Sequence, residues 1–246
     1  MQINIYCINL DERKDRWDFI QSQFSKIPQI KLVRISATQH KEGWVGCGLS
    51  HIGIVEKYMT MDVYLIVIED DCIIHDAINF YERLTNIINW LDLNNNQWDI
   101  FNGNPSYINN LSGCRLLSPE MKIIQYSEGL TANFIIYNSK KADLKNRLLQ
   151  YKRNINKCVV IFKHTYIKKP KRKYIITCKN KNVIYNVNGI RYSVIYDRFI
   201  NKNFCCITSI PFMTSQIDSP SDIEKKDVNY IDAIKLSETI LSKLIV

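Results

Sequence analysis

Hydrophobic and polar positions alternate over Gln2 to Asn9 and close on Ile5, Cys7 and Ile8, which predicts a buried strand ending at the polar stretch Asp11 to Asp15. Trp17, Ile20, Gln21 and Phe24 then fall at helical spacing, and a second strand is predicted over Lys31 to Ile35, after Pro28. Glycines at 43, 46 and 48 mark a loop, beyond which Leu49, Ile52, Val55 and Tyr58 or Met59 recur with helical period. Val63 to Ile68 is the most hydrophobic segment. Short and β-branched, it reads as a central parallel strand covered on both faces, and it stops abruptly at Glu69-Asp70-Asp71. Ala77 to Leu91 reads as a helix and Trp98 to Phe101 as a strand, so strands alternate with helices over the first hundred residues. That order predicts an α/β doubly wound parallel sheet, in which ligands bind beyond the carboxyl ends of strands.

The second half is less regular. Strands are predicted near Lys122 to Gln125 and Asn133 to Tyr137, then a helix from Ser139 to about Tyr151. From Lys163 to Lys181 eight positions are basic, and Pro170 interrupts any helix there. Ile190 to Phe199 reads as helical, Phe204 to Thr208 as a strand, and Tyr230 to Val246 as a terminal amphipathic helix. No internal repeat and no linker divides the chain, so residues 1–246 are expected to form a single domain.

Composition narrows the partners. Lys and Arg number 33 against 24 Asp and Glu, a net charge of +9 that favours an anionic partner: a nucleotide diphosphate, a nucleic acid or an acidic membrane surface. The eight cysteines show no C-x-x-C spacing and several lie in apolar runs, as reduced core thiols do. The first ten residues lack a basic stretch leading into a long apolar one, and nothing approaches the ~18 apolar residues of a transmembrane helix. A soluble, cytoplasmic protein is expected.

The acidic triplet carries the chemistry. If the extended backbone continues past Ile68, Glu69 and Asp71 point one way and Asp70 the other, so two carboxylates face one crevice. Crowded carboxylates resist desolvation unless a cation or proton compensates them, and Mg²⁺ and Mn²⁺ commonly share such oxygens with substrate phosphates. Asp71 is the expected direct ligand, with Glu69 as second metal residue or nearer a ribose. The plainer alternative is a solvated loop or a helix cap.

The motifs occur in the order of a known family. Ile8-Asn9-Leu10-Asp11-Glu12-Arg13-Lys14-Asp15-Arg16-Trp17 resembles the opening motif of glycosyltransferase family 25, which includes lipooligosaccharide and collagen galactosyltransferases. Gly46-Cys47-Gly48-Leu49-Ser50-His51, Leu65 to Cys72, Trp98-Asp99-Ile100-Phe101 and Gly129 to Ile136 resemble its successive signatures. Tyr196-Asp197-Arg198-Phe199 resembles the segment that contributes an acidic residue near the acceptor, and Pro211, Gln216, Ser221, Asp222 and Ile223 the closing motif. The resemblance implies a nucleotide-binding glycosyltransferase A-type fold, a mostly parallel central sheet flanked by helices, with residues 1–102 as donor half and 103–246 as acceptor half. It further implies Mn²⁺ or Mg²⁺ and inverting transfer of a hexose, galactose or glucose, from a UDP-sugar donor to a hydroxyl acceptor on a glycan or protein. Two departures stand out. Ser36-Ala37-Thr38-Gln39 replaces an Ala-x-Asp-Gly-like turn, and the basic stretch, near 157–189, looks like an insertion.

The implied donor-binding residues are Asn9, Leu10, Arg13, Arg16, Ser50, His51, Glu69 and Asp70. Arg13 and Arg16 could grip phosphates or be solvated arginines at a helix start. Ser50 and His51 sit where the glycine loop enters a helix, offering amides to an anion or simply ordering the turn. His75 and His164 have no partner at metal-ligand spacing. Inverting transfer needs a general base, for which Asp197 is the first candidate and Asp99 the second; for Asp197 the alternative is a pair with Arg198 or a helix cap. Phe162, Tyr166 and Tyr174 interleave with the basic run, which reads as a solvated loop and not as a specific nucleic-acid site. The terminal helix, with Ile234, Leu241, Leu244 and Ile245, docks on its own domain by default, with a membrane or a homo-oligomer interface as alternatives. The rival reading of the whole chain is a catalytically silent relative that binds glycans or anionic polymers.

Overall fold

The structure is a computed structural model describing residues 2–163, 174–178, 181–185, 195–218 and 229–245. Ile3–Asn9 forms β1, Lys14–Phe24 α1, Ile30–Ser36 β2, Gly43–Tyr58 α2 and Leu65–Glu69 β3, the expected alternation. Then come β4 (Cys72–Ile74), α3 (Phe80–Leu93), β5 (Ile100–Asn102), β6 (Arg115–Ser118), β7 (Ile123–Tyr126), β8 (Phe134–Tyr137) and α4 (Leu144–Lys163). A hairpin of β9 (Tyr174–Cys178) and β10 (Lys181–Tyr185), α5 (Tyr196–Asn203), β11 (Cys206–Ser209), β12 (Thr214–Gln216) and α6 (Tyr230–Ser242) complete it.

Eight strands form one sheet in the order β2-β1-β3-β8-β5-β11-β7-β6. The fold is α/β as expected, but the sheet is mixed. β1 pairs parallel with β2 and β3, and β5 with β11; β8 runs antiparallel between β3 and β5, and β7 runs antiparallel to β11 and β6. β8 starts beside the end of β5, where Gly103 N donates to the Phe134 carbonyl, and so runs back along both of its neighbours.

The two faces of the sheet are separately covered. Ile66 and Ile68 of β3 pack with Ile20 and Phe24 of α1 and Phe80, Leu84 and Leu91 of α3, while Leu65 and Val67 pack with Ile52 and Val55 of α2 and Leu148 and Tyr151 of α4. The continuous apolar run of β3 is therefore buried on both sides, as predicted. Ile234 and Leu241 of α6 are buried on the second face, which is the default docking on the chain's own domain.

The glycines at 43, 46 and 48 lie inside α2, not in a loop ahead of it. Close approach requires two of them. A Cβ on Gly46 would stand 2.5 Å from the Thr38 carbonyl oxygen, and one on Gly48 would stand 2.1 Å from the Tyr151 hydroxyl. Helix packing thus outweighs the roughly 1 kcal/mol that each glycine costs relative to alanine.

Of the predicted basic loop, Lys163 ends α4 and the β9–β10 hairpin spans Tyr174–Tyr185; residues 164–173 and 179–180 lie outside the described residues, as do Ser221, Asp222 and Ile223. No helix among the described residues is long and apolar enough to cross a membrane.

Gly53 provides a control for Gly48, since a Cβ there meets nothing within 4 Å. Gly53→Ala is expected to stabilise the fold by about 0.5–1 kcal/mol and Gly48→Ala to destabilise it by about 1–3 kcal/mol, read as opposite shifts of the urea midpoint.

Candidate functional site

β1 and β3 are parallel neighbours in which Ile8 pairs with Glu69, and Asn9 on the other side pairs with Ser36 of β2, so three strands end at one edge of the sheet. The segments leaving those ends, the first turns of α2 and Gln216-Ile217 enclose a cleft of about 610 Å³. That is a volume suited to a cofactor-sized ligand. Leu10, Arg16, Ser50, Glu69, Asp70 and Asp71 line it, six of the residues predicted for the site.

The backbone turns immediately after Glu69, so the strand alternation expected for the triplet does not hold. Glu69 faces α2: its Oε1 accepts from His51 Nε2 at 3.1 Å and from the Cys47 thiol at 3.3 Å. Asp70 and Asp71 both turn towards α1, where Arg16 lies 3.2 Å from Asp70 and 3.8 Å from Asp71. The helix-start arginine that lines the cleft is Arg16. Arg13 instead forms a two-pronged surface pair with Asp15 at 3.0–3.1 Å, outside the cleft lining.

Asp70 is well compensated. Besides Arg16, it accepts from Asn9 Nδ2 at 2.7 Å. Asn9 is itself fully buried and held by Arg34 Nε at 2.8 Å and the Arg13 carbonyl at 3.0 Å. Its amide therefore positions Asp70 and has no group left for a donor molecule. Burial still pushes Asp70 above its ordinary range, with Asn9 and Arg16 pulling it back.

Asp71 is the exception. Its Oδ2 accepts from Gln216 Nε2 at 2.9 Å, but its Oδ1 is buried with no hydrogen-bond partner among the described residues. Burial first, then the nearby Glu69 carboxylate, pushes Asp71 up to about 7. Burial alone would raise Glu69 too, but the His51 and Cys47 hydrogen bonds and Arg16 outweigh it and hold that carboxyl low. Three carboxylates share one guanidinium here, which leaves an acidic site with an unsatisfied oxygen. Such an oxygen fits a hard cation.

Ser50 and His51 are ordering residues. Ser50 Oγ accepts from Thr38 N at 2.7 Å and donates to the Gly46 carbonyl at 2.8 Å, tying the segment after β2 to α2. Because α2 already begins at Gly43, their own amides lie within the helix and are not offered to an anion. The His51 ring stacks on Tyr196, centroids 4.7 Å apart, and its Nδ1 lies 3.0 Å from the Tyr137 hydroxyl.

The two proposed bases separate. Asp99 immediately precedes β5, at the end of the sheet opposite Glu69, where it is bound by Lys141 at 2.8 Å, Cys205 N at 2.9 Å and Arg147 at 3.6 Å. A strand start and a strand end of like-directed strands lie at opposite edges, so Asp99 is structural. Asp197, in the first turn of α5, accepts from Arg198 N at 2.6 Å and Thr131 N at 3.3 Å. Burial raises it above the usual carboxylate range, and Glu69 adds to the rise. Thr131 holds φ at 69°, a left-handed conformation costing a β-branched residue about 1–3 kcal/mol, and its amide is fixed on Asp197. Beside them Arg198, Asn201, Lys202, Tyr107 and Leu130 line a second cleft of about 490 Å³.

Sequence reading missed Gln216 as a partner of Asp71, 145 residues away, and Cys47 as a partner of Glu69. The i, i+4 spacing of Cys47 and His51 would have paired them had the glycines been read as helical. No protein-family model matches the chain, and no curated protein matches it.

The raised Asp71 makes the folded protein keep a proton that the unfolded chain loses from about pH 4 upward, so this group's stabilising contribution is complete below that range and is lost as pH rises through about 7. In EDTA, Asp71→Asn is expected to raise the thermal midpoint by at least about 3 °C at pH 8, by less at pH 5, and to change it little below about pH 4.

Proposed function

We propose that the chain is a metal-dependent inverting hexosyltransferase of the A-type glycosyltransferase architecture, which takes galactose or glucose from a UDP-sugar to a hydroxyl of a glycan or protein. The observation that carries this reading is Asp71 after a strand end, lining a cleft of about 610 Å³, with a buried Oδ1 that has no hydrogen-bond partner among the described residues. The sequence resemblance to glycosyltransferase family 25 supplies the donor class.

In this reading Asp71 would hold Mn²⁺ or Mg²⁺, while Glu69, turned to His51 and Cys47, adds negative charge beside the ion. When bound, the ion supplies Lewis-acid stabilisation of the departing diphosphate. The remaining work belongs to the chain. Ile8, Leu10, Ala37 and Thr38 give the nucleoside an apolar and hydroxyl-bearing wall, and Lys41 places a positive charge on the lining for the donor's phosphates. Asn9 and Arg16 hold both oxygens of Asp70 in place, which leaves the unmatched Oδ1 of Asp71 beside them.

Asp197 is the general base. Its raised proton affinity suits removal of a proton from an acceptor hydroxyl, and the amides of Thr131 and Arg198 fix its orientation. The cleft of about 490 Å³ beside Arg198 receives the acceptor, with Tyr107 as a ring for a sugar face.

The test is UDP release from UDP-galactose, UDP-glucose and UDP-N-acetylglucosamine with Mn²⁺ or EDTA. One donor is expected to turn over only with metal, Asp71→Ala to slow it at least about 100-fold, and Asp197→Asn to slow transfer about 100-fold or more while leaving UDP binding intact. Mn²⁺-dependent UDP binding without turnover would favour the silent binding module. Absence of both turnover and binding would overturn the donor site.

A further inference from the structure

Behind the acidic turn lies a second group of different chemistry. Cys47 and His51 stand four residues apart on α2 and so share one helix face, and that face meets Glu69 at the end of β3. Their ligand atoms, Sγ, Nε2 and a carboxylate oxygen, all lie within 4.8 Å of one another, with Glu69 Oε1 3.3 Å from Sγ and 3.1 Å from Nε2. Bonds of about 2.0–2.3 Å at the tetrahedral angle place ligand atoms roughly 3.3–3.8 Å apart, so movements of about 1 Å separate this arrangement from three corners of a zinc site.

A second observation points the same way. A histidine that binds a metal through one ring nitrogen is held by a hydrogen bond on the other. His51 Nδ1 lies 3.0 Å from the Tyr137 hydroxyl, which lies 2.7 Å from the Tyr196 hydroxyl, and the ring stacks on Tyr196. The imidazole is fully buried and cannot swing away, while Cys47 and Glu69 line the 610 Å³ cleft and give an ion a way in.

We infer that Cys47, His51 and Glu69 form a soft-cation site that takes Zn²⁺, with its fourth position open to the cleft. Thiolate and imidazole select zinc over Mg²⁺ and Mn²⁺, which prefer the oxygen donors of Asp71. Loading releases the Cys47 proton to solvent. The imidazole proton, donated from Nε2 to Glu69 in the metal-free site, moves to Nδ1 as Nε2 takes the ion, and there it is donated to Tyr137, which donates to Tyr196. Three protein ligands and an open position are the arrangement in which zinc binds and activates a water. The site does not depend on UDP-sugar chemistry, and its test does not use turnover.

The experiment is Co²⁺ titration of the metal-stripped, reduced full chain, followed by absorption. A sulfur-to-cobalt charge-transfer band is expected to saturate at one equivalent, to vanish on adding Zn²⁺ and to persist with excess Mg²⁺. Cys47→Ser should abolish the band and His51→Gln should weaken Co²⁺ binding at least about 100-fold, whereas Asp71→Asn should leave the band in place. No band, or a band that survives Cys47→Ser, would overturn the inference. X-ray absorption at the zinc edge of the unsubstituted protein needs no variant: one sulfur and one imidazole support the site, and a shell of oxygens alone overturns it.

Discussion

Charge crowding at the end of β3 is the constraint around which this molecule is arranged. Three successive acidic residues follow a strand whose other side chains are wholly buried, so the carboxylates cannot all escape to water. Each is handled differently. Asp70 receives a guanidinium and an amide, Glu69 an imidazole and a thiol, and Asp71 only one amide and a distant share of Arg16. The ladder of compensation runs from full to partial, and the least compensated carboxylate belongs to a residue that lines a ligand-sized space.

The partners come from separate elements, which explains much of the surrounding architecture. α1 brings Arg16, β1 brings Asn9, α2 brings Cys47 and His51, and the last sheet segment brings Gln216. α2 must lie close to both Thr38 and Tyr151 to reach Glu69, and the glycines at 46 and 48 permit that approach. The reversed strand β8 brings Asn133 beside Glu69, whose amide donates to the Asn133 carbonyl, and it carries the Thr131 turn to Asp197. A mixed sheet therefore does what a fully parallel one would not: it returns the chain to the acidic edge without a helix between.

Much of this was legible in the residues. β1, β2, β3 and the helices between them follow from periodicity, because each buries a face of regular spacing. The acidic triplet announced a site because carboxylates rarely follow a buried strand without compensation. Less legible were features set by contacts distant in sequence. The glycines of α2 look like a loop until Tyr151 and Thr38 are brought against them. Asp99 reads as a strand-end acid until the direction of β5 places it at the far edge, beside Lys141 and Arg147. Asn9 looks like a ligand-binding amide until Arg34 and Asp70 are seen to occupy both of its ends.

Gln216 has a consequence for how the chain comes to be made. Its side-chain amide donates to the Asp71 carboxylate, and it lies 145 positions later. During synthesis from the N-terminus, β1, β2, β3 and α2 emerge and can associate long before that amide exists. Until it does, the nascent sheet carries its acidic edge with one carboxylate unanchored. The final strands thus act as a closing stitch, and the binding edge matures last, after the scaffold that supports it.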